Sequence, residues 1–359
     1  MWRLALALVA LAALAFTLRD LDVPATLALV RGLGPSVALV LVPYGVATTL
    51  DTLGWRRLLR AAGGDAPFAA MWRARLGSDA VLLTVVGGPV VAESVVPLAL
   101  AERAGVPVPV TVASLALRRR FLFAANGVYL FIGLAIGAPT LAAVSRALLG
   151  SAVLVPVAAG FGLALVAAGV GLGVVLARGQ IGARLLAVLE RIPIARLRAW
   201  LAREGPRFVE TDARLAARLA PIDAARALPF FVGAWVAEAV ETFTILTLLG
   251  AAVPPAAAAV TEMSMSLLRS LVFMVPAGIG VQDVGYTAFL RALAVERATE
   301  LAAAFVLLKR LKEVTWVLVG YALLGSRVPT SGGRRPDPCR VGEGGQSQGA
   351  TTRATGRDD

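Results

Sequence analysis

Apolar residues run through this chain in long stretches, without the alternation of a half-buried strand or the narrow stripe of a surface helix. Stretches of roughly 20 such residues suit helices that cross a bilayer. They fall at residues 4–18, 33–53, 79–100, 108–137, 150–177, 228–250, 256–275 and 301–324. The first is short and follows Met1-Trp2-Arg3. Its small residues Ala13 and Ala15 would suit a cleaved signal peptide, but the many spans that follow favour a retained first helix. The pattern predicts an all-α integral membrane protein with about eight hydrophobic segments.

Two of these segments are broken. Gly87, Gly88 and Pro89 interrupt the 79–100 run ahead of Glu93, and Pro276, Gly278 and Gly280 close the 256–275 run ahead of Asp283. Non-helical backbone at membrane depth persists only where it is buried in protein or lines a wet cavity. The connections differ in charge. Residues 54–77 carry Arg56, Arg57, Arg60, Arg73 and Arg75, and 178–226 carry ten Arg against five acids; 19–32, 138–149 and 251–255 are nearly uncharged or balanced. The positive-inside rule then puts the Arg-rich connections in the cytoplasm. That works only if each broken segment enters and leaves on one side. The expected topology is six full transmembrane helices plus two re-entrant hairpins, with both termini cytoplasmic. Leu185, Leu186, Leu189 and Ile192 recur at helical spacing, so 178–226 reads as amphipathic helices on the membrane surface. Residues 326–359 are too polar to fold and read as a disordered tail after a transmembrane domain over 1–325.

An internal repeat underlies the two breaks. A shift of 190 residues puts Gly88 on Gly278, Glu93 on Asp283, Arg119 on Lys309 and Arg120 on Arg310. Each copy, about 33–137 and 228–325, reads as a Gly/Pro break, a carboxylate and then a basic pair in an apolar helix. Three full crossings between the hairpins invert the second copy. Inverted repeats whose broken helices meet near the midplane are a transporter architecture.

Composition narrows the chemistry. Apolar residues make up 58% of the chain, mean hydropathy is +0.78 and charged residues are only 16%, so ionisable groups inside spans stand out. Histidine is absent, and the single cysteine, Cys339, lies in the polar tail. No nucleophile–base set, phosphate loop or metal spacing is present, so neither an enzyme nor a cofactor or metal site is expected. The 35 Lys+Arg against 23 Asp+Glu point to anionic lipid headgroups as partners. Nucleic acid would need a basic soluble domain, and the chain has none. Charges at membrane depth are functional candidates. Arg119, Arg120, Lys309 and Arg310 are the expected anion-binding bases, with Glu93 and Asp283 orienting them or touching the substrate. Glu238 and Glu241, three apart, and Glu262 and Arg269, seven apart, are expected to form a charge network, with Arg269 or Arg310 as partners of the first pair.

The stretch VPAGIGVQDVGYTAFLRAL at 275–293, with the basic final span ending in WVLVGYALLG at 316–325, resembles the C-terminal signature of the lysylphosphatidylglycerol synthase transmembrane (flippase-like) family. WRARLGSDAVLLTVVGGPVVAES at 72–94 resembles its first-half element, with most likeness to the hopanoid-biosynthesis-associated branch. By this match Glu93 and Asp283 take the family's acidic positions. The chain departs where Val95, Val96 and Pro97 stand in place of an Arg after the first acid, and where the second acid is Asp in place of Glu. The chain ends in a short polar tail in place of the family's synthase half. The resemblance therefore implies lipid translocation or binding in a bacterial inner membrane, by alternating access at a midplane cavity, without aminoacyl transfer. The alternative is a non-transporting accessory or scaffold protein of a lipid-biosynthesis complex, docking lipid-biosynthesis proteins through 178–226.

Overall fold

The computed structural model describes residues 23–84, 88–178, 225–271 and 281–326. The first apolar run at 4–18, the breaks Gly87, Pro276, Gly278 and Gly280, nearly all of the 178–226 segment and the polar tail lie outside these residues. The described residues are helical, with no strand among them. Ten α-helices follow one another: α1 (Val23–Gly32), α2 (Leu41–Ala61), α3 (Phe68–Thr84), α4 (Gly88–Ala104), α5 (Val108–Leu149), α6 (Leu154–Ala177), α7 (Leu228–Leu248), α8 (Pro255–Leu271), α9 (Val281–Ala292) and α10 (Ala298–Gly325). A 3₁₀ stretch over Gly34–Val40 leads into α2. Proline starts several of these helices, since its missing N–H has no partner in a first turn. Glycines in the left-handed region close others, at Gly63, Gly105, Gly150 and Gly250.

Among the described residues four helices are long and apolar enough to cross a membrane: Gly34–Ala61, Val108–Leu149, Leu154–Ala177 and Leu228–Leu248. Their outward faces carry Leu163, Val170 and Val174 on α6 and Ile132 and Ile136 on α5, apolar side chains suited to lipid. α10 has 28 residues, enough to span, but carries Glu300, Lys309, Arg310, Lys312 and Glu313. One expected connection is absent. Residues 138–149 continue α5 through Pro139, because Leu141 and Val144 bury into the main core beside Leu246 and Leu249. Ser145 then ends the turn: its hydroxyl donates to the Ser151 carbonyl and accepts from the Leu154 N–H at the start of α6. The expected Arg-rich connection at 54–77 is mostly helix: Arg56, Arg57 and Arg60 lie at the end of α2 and Arg73 and Arg75 within α3, with Arg75 drawn inward to Asp51 and Asp79.

The internal repeat is visible in the helices. α2–α5 recur as α7–α10, with α2 and α3 returning 187 residues on and α5 returning 190 residues on. The repeat-related helices α2 and α7 pack against each other in opposite directions. Leu50 meets Gly233, Gly54 meets Phe230 and Phe231, and Arg57 reaches the Arg226 carbonyl and the Phe230 ring, so residue numbers rise on one helix as they fall on the other. The remaining contacts between halves are reciprocal. α3 packs on α10, where a Cβ on Gly320 would fall 2.5 Å from the Leu76 carbonyl oxygen. α8, the counterpart of α3, packs on α5, the counterpart of α10, where a Cβ on Gly137 would fall 2.1 Å from Val260. Antiparallel partners and exchanged contacts are what a two-fold axis across the helices produces, and small residues at these crossings let backbones approach.

Candidate functional site

The repeat brings charged side chains to matching depths. Arg118–Arg120 begin ten residues into α5, and Lys309 and Lys312 lie eleven and fourteen residues into α10, roughly 15–20 Å along each helix. These bases do not sit at a helix start, where water would reach them.

In the second half Glu262 of α8 is the centre. Its side chain is 0% exposed and accepts four hydrogen bonds: from Thr242 Oγ1 at 2.6 Å, Tyr286 Oη at 2.8 Å, Lys309 Nζ at 2.9 Å and Arg269 at 2.9 Å. Arg269 also donates to Glu238 at 2.7 Å. Glu241, 1% exposed, accepts from Lys312 at 2.9 Å on both oxygens and lies 3.3 Å from Lys309. Three carboxylates thus face three bases, brought together by α7, α8 and α10, with Tyr286 supplied by α9.

In the first half Asp51 of α2 takes the central place. It accepts from Arg75 of α3 at 2.8 Å and from Arg118 of α5 at 2.7 and 3.2 Å. Arg75 also pairs with Asp79, one turn on, and Asp79 accepts from Tyr44 Oη at 3.2 Å. Tyr44 joins the two halves, because the Lys312 ammonium lies 5.0 Å from the centre of its ring. The result is one belt of five carboxylates and five bases, buried except for the part-exposed Arg75, Glu238 and Arg269, in which every charge has an opposite partner. Buried ions persist only when paired in this way.

The expected site residues divide among these arrangements. Lys309, Glu238, Glu241, Glu262 and Arg269 are in the belt. Glu241 takes Lys309 and Lys312, and neither Arg269 nor Arg310 is its salt-bridge partner. Arg310 pairs with Glu313, one turn on. Glu93 and Arg119 pair with each other outside the belt, with side chains 58% and 49% exposed. Arg120 lies along α6, where a Cβ on Gly173 would fall 2.5 Å from its guanidinium, and over the Phe121 ring at 5.1 Å; it has no ion pair among the described residues. Gly88 and Pro89 form the first turn of α4, and Asp283 lies in the first turn of α9, its side chain outside the described set.

Asp51, Arg75, Asp79, Arg118 and Lys312 are belt members that the sequence reading did not single out. The repeat offset held a sign of them: Thr48, Asp51 and Thr52 fall on Glu238, Glu241 and Thr242. Arg75, counted as a connection charge, gives no such sign.

A small polar cavity of about 30 Å³ opens among Arg75, Ser78, Glu93, Arg118 and Arg119. That is room for a water or two and not for a lipid headgroup. A larger cavity, about 580 Å³, lies instead where α1 and α7 finish and α10 begins, lined by Leu29, Leu33, Leu248, Leu249 and Arg297 among others. Of the two, the small one adjoins the charged belt and the larger one does not.

A family model described as the lysylphosphatidylglycerol synthase TM region matches residues 2–320. No curated protein and no solved structure matches the chain.

Proposed function

The chain belongs to the lysylphosphatidylglycerol synthase TM-region family, a membrane family tied to lipid, and from that premise we propose that it translocates a lipid with an anionic headgroup, admitting the headgroup at Arg119. The observation that carries this reading is the Glu93–Arg119 pair. It is half exposed, it lies at the polar cavity, and it adjoins the buried Asp51–Arg118 pair. A phosphate can take the place of the Glu93 carboxylate on Arg119, the displaced and half-exposed carboxylate turning to water, and Arg suits such an exchange by its planar, charge-assisted donors. Glu262 offers no such entry, since displacing it breaks four hydrogen bonds at once. With a cavity this small, loading requires the α3/α4 pair to move away from α5. α2 has to follow α3 in that movement, because Arg75 of α3 is paired with Asp51 of α2 and breaking a buried pair costs several kcal/mol.

The reading is tested by leaflet exchange of a fluorescent phosphatidylglycerol in proteoliposomes. Arg119→Ala is expected to slow exchange at least tenfold, about the effect of losing one charge-assisted contact, while the protein stays folded. Unchanged exchange in that variant would overturn the entry site. Absence of exchange by the unmodified protein would favour an accessory role instead.

The same reading has an orientation. α3 and α4 each have 17 residues, about 25 Å, and fall short of a bilayer core of about 30 Å. α8 and α9 have 17 and 12. Each pair is taken to dip in and return, one from either side. The α2–α3 loop, beside Arg56, Arg57 and Arg60, is then cytoplasmic, and the uncharged α7–α8 loop is external. In a Cys339→Ser background, Asp65→Cys should be protected from an impermeant maleimide in intact cells and Ala251→Cys should be labelled. Labelling of both would reject the inverted arrangement.

A further inference from the structure

Between the two charge networks lies an aromatic cluster that the translocation reading does not use. Trp72 of α3 and Trp316 of α10 meet edge to face, with ring centres 6.3 Å apart, and Tyr44 of α2 lies against Trp316 at 5.3 Å. The cluster therefore spans the junction of the halves, at the α3–α10 crossing. It also adjoins both networks. Trp72 stands one turn before Arg75, and Trp316 stands one turn after Lys312, each on the same helix face as its base.

Both indole N–H groups are buried and neither has a hydrogen-bond acceptor among the described residues. The contrast within the molecule is direct: the buried indole of Trp55 donates to Ser114 Oγ at 3.0 Å. A buried donor without an acceptor is destabilising, and native interiors keep such groups rare. Two of them in one cluster, supplied by different halves, share a single remedy. An oxygen entering between α3 and α10 could accept from both.

We propose that Trp72 and Trp316 form a second lipid subsite, donating their indole N–H groups to an oxygen of the lipid's phosphodiester or ester linkage when α3 and α10 part. This rests on the translocation reading and assigns the part of the lipid next to its headgroup. Arg119 meets the charge of the phosphate, and the neutral indole donors, flanked by aromatic faces, meet either a further oxygen of that phosphodiester or the ester carbonyl below it, groups at the boundary of polar and apolar lipid. The occupant is a lipid oxygen; a water in the same place is the competing outcome.

The test is made on the full chain in detergent, with its indole nitrogens labelled with ¹⁵N and the signals assigned from Trp72→Phe and Trp316→Phe. Addition of phosphatidylglycerol should move the Trp72 and Trp316 N–H signals and leave that of Trp55 in place. A dialkyl ether phosphatidylglycerol, which lacks ester carbonyls, reproduces the shift if the acceptor is the phosphodiester. A diacylglycerol, which lacks phosphate, reproduces it if the acceptor is an ester carbonyl. Each Phe variant, which keeps an aromatic ring but loses the donor, should weaken phosphatidylglycerol retention about tenfold, the effect of one hydrogen bond. If one variant fails to fold, the other and the unmodified protein's titration carry the test. Signals that move with none of the three lipids mean a water partner and overturn the subsite. Exchange that persists while the signals stay fixed sinks this proposal alone; signals that move while exchange is absent sink the transport reading alone.

Discussion

The two halves of the repeat place a base at the same offset and surround it differently. Lys309 is held by Glu241 and Glu262, both essentially unexposed, and lies over the Tyr286 and Phe305 rings. Its counterpart Arg119 meets only Glu93, and both side chains are about half exposed. Arg118, next in sequence, takes the buried role in the first half by pairing with Asp51. Duplication thus supplied a basic cluster twice. The second copy keeps Lys309 and Lys312 buried and leaves Arg310, about a quarter exposed, to Glu313, while the first keeps Arg118 inside and leaves Arg119 about half exposed. On the translocation reading, the most open of these bases is the one that would load and release a ligand.

The sharpest way to break this comparison is at Glu262. Removing it leaves Arg269 and Lys309 short of a buried counter-charge, so Glu262→Ala is expected to cost about 3–5 kcal/mol. The measurement is the midpoint of unfolding in a detergent mixture, with exchange lost only because folded protein is lost. A loss of exchange in a variant whose unfolding midpoint is unchanged would move the site from Arg119 into the second half.

Where the halves agree, their variants should agree. Asp51 and Glu241 stand at the repeat offset, are buried, and each holds two bases. Asp51→Asn and Glu241→Gln keep shape and remove charge, and each is expected to cost about 3 kcal/mol, the lower end for a broken buried pair. Unfolding midpoints that differ widely between the two would mean that the networks are not equivalent supports. In that case the pseudo-symmetry would be one of helices without being one of energetics.

Much of this was readable from the residue order, and what escaped has a physical reason. The apolar runs located α6, α7 and α10 to within a few residues, because a span in lipid needs length and little else; α2 runs eight residues past its apolar stretch because Trp55, Leu58 and Leu59 bury. The 190-residue offset exposed the repeat through residues that are costly in lipid. The same offset also pairs Asp51 with Glu241, but Asp51 ends an apolar run beside Arg56 and Arg57 and so resembles an interfacial residue. Arg75 follows Ala66-Pro67 and a mixed stretch, and its burial depends on α3 lying between α2 and α10. Which acid each base selects was not legible. Lys309 and Arg310 are adjacent and chemically alike, and only the rotation of α10 against α8 sends one to Glu262 and the other to Glu313. The end of the 108–137 run fell short for a related reason: burial of Leu141 and Val144 carries α5 on through Pro139.

The smallest effect on stability, and the most informative for function, is expected at Glu93. Its pair with Arg119 is as exposed as many surface ion pairs, which contribute up to about 1 kcal/mol. Glu93→Gln should therefore shift the unfolding midpoint little, in contrast to the buried carboxylates of the other half. The belt stays neutral, since Glu93 is not part of it, and Arg119 gains a free charge facing the polar cavity. An anionic headgroup then has no carboxylate to displace. Retention of phosphatidylglycerol in detergent should rise several-fold, on the scale of one weak ion pair, and fall back when Arg119→Ala is added. Raising ionic strength should weaken the gain, because these groups are reachable by salt in a way that Glu262 and Lys309 are not. If Glu93→Gln instead destabilises the protein as strongly as Glu262→Ala, both halves are structural supports and the entry site lies elsewhere.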